Sequence, residues 1–105
     1  IHMKKGIPYG YRVSWKNRTI GFSGDTEWND NLPELAEETD LFFMECYSGE
    51  KKIPFHTSIS ELKLKSDRLN TKRLLLTHMG DEVRQLAAAG KSPFEIAHDG
   101  QRIEI

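Results

Sequence analysis

Apolar positions in this chain come in short blocks separated by polar turns, and the blocks differ in texture. Residues 9–15 carry Tyr, Val and Trp, and residues 18–22 carry Thr, Ile and Phe, with Lys16-Asn17 between them; this predicts a β-hairpin. Ser23-Gly24-Asp25-Thr26 then leaves the second strand as a loop. Residues 40–45 and 73–77 are continuous rather than alternating, as strands buried on both faces are. A short helix fits residues 32–38, with Asp30 or Asn31 as cap and Pro33 in its first turn. Residues 46–55, with Gly49, Pro54 and several charges, read as a loop.

Ser58-Ile59-Ser60-Glu61 matches a capping box and predicts a helix to about Leu69, with Ile59, Leu62 and Leu69 on one face. A further helix over 81–89 would turn Val83, Leu86 and Ala87 inward and end at Gly90. Residues 94–98 read as a strand, and Asp99-Gly100 as a hairpin turn returning through residues 102–105. Buried strands separated by helices make the class α/β.

Composition narrows the function. One hundred and five residues make one domain or part of one, and the mean hydropathy of -0.60 is that of a soluble chain. No apolar run approaches the ~20 residues of a membrane span, and no secretory leader is visible, so no membrane role is expected. Fifteen basic against sixteen acidic residues give a net charge of -1, which argues against a domain-wide nucleic-acid footprint. The single cysteine, Cys46, excludes an intrachain disulfide and a cysteine zinc cluster, and fits a reducing, cytoplasmic compartment. It reads as a small buried hydrophobe. Tyr9, Tyr11, Trp15 and Trp28 read as hairpin packing, and Lys51-Lys52, Lys63 and Lys65 as solvated faces.

Candidate chemistry gathers at strand ends. Asp25, Glu45 and His78 each follow a buried run, and in layered α/β folds those ends open onto the ligand crevice. Each alone reads as a strand reaching the surface; three together, carboxylates and imidazole, have the composition of a metal or acid–base site. Gly24 would let Asp25 point back across the strand ends, although taken alone Ser23-Gly24-Asp25 reads as an ordinary turn. His56, just before a helix, could reach a site from its rim or lie in solvent. His98 has no assigned role.

The order of Tyr9-Gly10-Tyr11-Arg12-Val13, Ile20-Gly21-Phe22-Ser23-Gly24-Asp25-Thr26, residues 40–45, His56-Thr57-Ser58, Leu74-Leu75-Leu76-Thr77-His78 and Asp99-Gly100 resembles the C-terminal half of metallo-β-lactamase-fold hydrolases. The resemblance runs over nearly the whole chain, residues 1–105. Glu45 and His56-Thr57-Ser58 look most like the ribonuclease Z and related phosphodiesterase branch. It implies half of an αββα sandwich, one mixed β-sheet with covering helices. It also implies that Asp25 bridges two metal ions, usually zinc with manganese or iron as variants, that His78 ligates one, and that His56 handles a proton, oriented by Glu45. His2, shortly before Tyr9-Gly10-Tyr11, resembles the family's middle metal-binding histidine, although Ile1-His2-Met3 also reads as a cloning remnant.

This sequence departs from the pattern in one large respect. The His-x-His-x-Asp-His motif is absent: histidines stand only at 2, 56, 78 and 98. Asp25, His78 and His2 fall short of the four ligands of a closed zinc site. The resemblance therefore implies part of a hydrolase in which metal-bound hydroxide attacks a phosphodiester or related ester, in a small molecule or a nucleic acid, and His56 protonates the leaving oxygen. The alternative is a non-catalytic half-domain that serves as an assembly module. Either reading expects a homodimer or pairing with an N-terminal half, because Tyr11, Val13, Ile20, Phe22, Phe42 and Leu75 would lack the second sheet that covers them.

Overall fold

A computed structural model describes residues 10–104 and the backbone of residues 2–4. Among these, six strands form one sheet in chain order: β1 (His2–Lys4), β2 (Gly10–Trp15), β3 (Arg18–Phe22), β4 (Leu41–Glu45), β5 (Leu74–Thr77) and β6 (Glu95–Ile96). β1, β2 and β3 pair antiparallel with one another, and β3 through β6 run parallel, so the sheet is mixed as expected. The β2–β3 hairpin turns on Lys16 and Asn17, whose φ values of 48° and 63° are the pair of left-handed residues a two-residue loop needs. The parallel strands are joined by α1 (Leu32–Ala36), α2 (Ile59–Lys65) with a following 3-10 turn (Ser66–Arg68), and α3 (Asp81–Ala88). Strands laid down in one direction by crossovers of one hand put every helix on the same face.

That face holds the core. Phe42 and Met44 of β4 and Leu76 of β5 are fully buried against Leu32, Leu35, Ile59, Leu62 and Val83 of the three helices. Gly21 lets β3 approach, since a Cβ there would lie 2.6 Å from the Phe42 ring. Ser58 caps α2 by accepting the Glu61 N–H at 3.1 Å, while the Glu61 carboxylate turns to Lys65 and Lys52 instead of back to the cap. The helix ends at Lys65, earlier than expected, yet Leu69 still reaches the core across the 3-10 turn.

Strand register fixes what the opposite face carries. Tyr11, Phe22, Phe43, Leu75 and Glu95 align across the sheet, and Val13, Ile20 and Leu41 form the next row. Tyr11 stacks on Phe22 at 4.8 Å and Phe22 on Phe43 at 4.9 Å, with Tyr11 still 38% exposed. An open hollow of about 650 Å³ lies beside them, lined by Val13, Trp15, Lys16, Asn17, Arg18 and Ile20.

Several expectations need correction. Phe42 points to the helices, because Phe43 and Glu45 take the open face and residues alternate strictly along a strand. Leu75 is buried, between Phe43 and the Arg73–Glu95 ion pair. Trp28 belongs to the helical core, and Trp15 is 70% exposed with Lys16 over its ring. Asp99-Gly100 does turn, with Gly100 at φ +75° and the Gln101 N–H donating to the His98 carbonyl at 3.1 Å, but no return strand follows through residue 104. Residues 102–104 offer a single apolar side chain, Ile103, too little to bury a face.

Candidate functional site

β3, β4 and β5 are parallel, so their C-terminal ends meet at one edge of the sheet, and there Asp25, Glu45 and His78 come together. Gly24, at φ +68°, turns the chain at the end of β3. Ser23 stitches this turn to β4: its N–H donates to the Phe43 carbonyl at 2.9 Å, and its Oγ accepts the Glu45 N–H at 2.9 Å. His78 follows β5 directly in a left-handed conformation, φ 50°, which a side chain other than glycine's occupies only at a cost.

The loop of residues 46–58 is tied down at its far end. Thr57, fully buried, donates its hydroxyl to the Thr26 carbonyl at 2.8 Å and its N–H to Glu45 Oε2 at 3.2 Å. Phe55, at φ 68°, reverses the chain just before His56. His56 is thereby brought to Glu45, with Nδ1 2.5 Å from Oε1. Glu45 Oε2 also accepts the Tyr47 N–H at 3.0 Å, so both carboxylate oxygens are occupied. Glu45 is only 1% exposed. Burial pushes its carboxyl above the ordinary 4.5; hydrogen bonds from His56, Thr57 and Tyr47 pull the other way, and burial wins.

Asp25 and His78 form a second, more open pair, Oδ1 to Nδ1 at 3.6 Å. The His56 and His78 rings stack at 5.5 Å, which joins the two pairs into one cluster. The side chain of His2 lies outside the described residues. His98 is exposed just beyond the C-terminal end of β6, beside the Asp99-Gly100 turn. Cys46 is fully buried and its thiol is pushed up to about 12 by burial, which makes it a packed hydrophobe. Tyr47 lies in the stretch predicted as a loop, and its ring lies against both His56 and His78, at 4.8 and 5.9 Å. The sequence signal was its place two residues beyond Glu45, on the path to His56.

The arrangement can hold and orient a proton-carrying imidazole: Glu45 occupies His56 Nδ1, so Nε2 is the nitrogen left for another molecule. Among the described residues no group of three or more His, Cys, Asp or Glu side chains is placed to hold an ion. Asp25 and His78 supply two adjacent donors of suitable chemistry, half of what a four-coordinate site needs.

Two solved structures share this architecture. The metallo-β-lactamase-fold protein YhfI from Bacillus subtilis is 24% identical, with a TM-score of 0.71 over 89% of this chain and 42% of its own. A diphosphatase from the PhnP family is 22% identical, with a TM-score of 0.72 over 92% of this chain and 38% of its own. The chain has half of a metallo-β-lactamase fold. It spans well under half the length of either structure, and its one sheet with helices on one face corresponds to half of an αββα sandwich. No protein-family model and no curated protein matches the sequence.

Proposed function

We infer that this chain is a half-domain: an assembly module, inactive alone, that pairs through its open sheet face with a complementary N-terminal half and contributes one wall of a hydrolase site. The observation that carries this is a finished proton-handling pair, Glu45–His56, beside an unfinished metal-ligand pair, Asp25–His78. In the paired protein, Asp25 and His78 would hold metal, zinc in this reading, together with donors from the other half, and bound metal would supply Lewis acidity and a water of lowered pKa. Glu45 fixes the imidazole through Nδ1. His56 presents Nε2 to the substrate and, when protonated, donates to the leaving oxygen. The substrate class is a phosphodiester or related ester. That one similar fold is a diphosphatase supports phosphorus-ester chemistry. A cytoplasmic setting belongs to the same reading.

The open face supports the pairing. Tyr11, Phe22 and Phe43 form a continuous aromatic ladder on the side of the sheet opposite the helices. At ~25 cal/mol per Å² of apolar surface, covering several hundred Å² is worth roughly 10 kcal/mol, comparable to the stability of a whole small domain. The test is reconstitution. Mixing this chain with an N-terminal half that carries His-x-His-x-Asp-His should give a stable complex that hydrolyses a phosphodiester in the presence of zinc, while neither part does so alone. A complex without activity would leave the assembly module and remove the hydrolase; a stable monomer that ignores its counterpart would remove both.

A further inference from the structure

We propose that Tyr47 is a positioning residue that fixes the His56 and His78 imidazoles relative to each other, an inference that rests on the hydrolase-site reading above. Its ring stacks on His56 with centroids 4.8 Å apart and planes 28° apart, and lies 5.9 Å from His78 at 34°. With His56 and His78 themselves 5.5 Å apart, the three rings close a triangle. The backbone of the same residue grips the elements that carry both histidines. Its N–H is shared between Glu45 Oε2 and the Thr57 carbonyl, each at 3.0 Å, and its carbonyl accepts the Gly80 N–H at 2.9 Å. Gly80 is bare for this contact: a Cβ there would lie 2.6 Å from the Tyr47 carbonyl oxygen and 3.3 Å from the ring carbon Cζ.

Geometry says why such a residue is needed. Glu45 holds His56 at Nδ1, next to the ring's covalent tether at Cγ, and a flat ring stacked on the imidazole face limits the tilt that remains and hence the direction of Nε2. His78 is half exposed, and Asp25, 3.6 Å away, is more exposed still. The aromatic stack is therefore its firmest lateral support. Proton transfer loses rate steeply when the donor is misplaced by about an ångström.

The test uses Tyr47→Leu, which removes the ring but keeps an apolar side chain, and Tyr47→Phe, which keeps the ring. Proton NMR of the isotope-labelled full chain should show ring-to-ring Overhauser contacts between His56 and His78, with ring protons of both shifted upfield by Tyr47. Tyr47→Leu should lose both signatures while amides remote from the site keep their shifts, and Tyr47→Phe should restore them. In the reconstituted hydrolase, Tyr47→Leu should lower kcat on the order of tenfold with KM changed less than about twofold, and Tyr47→Phe should match wild type. Absence of the histidine contact in wild type, which needs no variant to fold, would overturn the proposal. So would its persistence in Tyr47→Leu, or a Tyr47→Phe variant as impaired as Tyr47→Leu. The two readings fail separately: NMR signatures lost without any wild-type hydrolysis keep the positioning and remove the hydrolase, and turnover that needs His56 but not Tyr47 does the reverse.

Discussion

Nδ1 of His56 lies 2.5 Å from Oε1 of Glu45, a carboxylate almost wholly withdrawn from water at the end of a buried strand. Ten residues of loop separate the two, and that loop is held at Thr57 by both Thr26 and Glu45. The pair makes His56 a directed group. His56→Ala in the reconstituted hydrolase should lower kcat by about 100-fold or more, the usual scale of general-acid catalysis, and leave zinc content nearly unchanged. Metal analysis beside the turnover assay checks both halves of the expectation.

Glu45 also makes stability depend on pH. Its carboxyl in the folded chain titrates above the ordinary 4.5 because burial outweighs its hydrogen bonds. Between those two values the folded state binds more protons than the unfolded state, so this group's contribution falls as pH rises through the window. Glu45→Gln removes the titration. The Tm of wild type relative to Glu45→Gln should therefore decline as the pH is raised from about 4.5 toward neutrality. A relative Tm that climbs over the same range would contradict the assignment of burial as the dominant cause.

Asp40 works in the opposite sense. The Thr19 N–H donates to its Oδ2 at 2.9 Å and Lys72 Nζ lies 3.1 Å from Oδ1, and these hold the carboxyl below its ordinary 3.8. Its stabilisation is complete above the unfolded value and is lost as pH falls through the lower folded one. Denaturant midpoints of wild type and Asp40→Asn should differ at neutral pH and converge in strong acid.

Two glycines near the site should respond unequally to a methyl group. At Gly80 the new Cβ meets the Tyr47 carbonyl, a backbone atom that cannot move without shifting the site. At Gly49 it meets the Glu82 carboxylate, the end of an exposed side chain that accepts the Gly49 N–H at 2.7 Å. Gly80→Ala should cost about 1–3 kcal/mol, as overpacking does, and Gly49→Ala about 1 kcal/mol or less. Chemical denaturation of the two variants measures the difference, and equal costs would mean that the backbone contact at Tyr47 yields as easily as a side chain.

What could be read beforehand followed from local chemistry. Lys16-Asn17 between β-rich runs, the Ser58 cap and the buried runs ending at Glu45 and His78 each announce themselves over a few residues. The convergence of Asp25, Glu45 and His78 follows from strands that run parallel. The facing of Phe42 did not: a continuous apolar run has no alternation to show which residues meet the helices. Trp28 joins the core because α1 and α2 close over the loop that carries it, a tertiary event with no local signal. The return strand after Gly100 failed because turn chemistry alone does not bury a face. Tyr47 was hidden because its partners lie 9 and 31 residues ahead of it, on different elements.

The open face gives a separable test of pairing. Phe22 stacks between Tyr11 and Phe43, and Phe22→Glu would place a charge in the centre of the proposed contact. The variant should fold, since the helix-side core built on Phe42, Met44 and Leu76 is untouched, whereas Phe42→Ala should cost about 3–5 kcal/mol. Sedimentation should show loss of association with the complementary half, or with a second copy, in Phe22→Glu. Undiminished association would place the contact elsewhere.

Zinc stoichiometry of the chain alone, compared with the reconstituted protein, decides whether the metal site is shared between two halves. Asp25 and His78 offer two ligands, so the chain alone should bind zinc weakly. It should show no turnover, and pairing should bring tight binding and hydrolysis together. Tight binding of two zinc ions with turnover by the 105-residue chain alone would contradict the account.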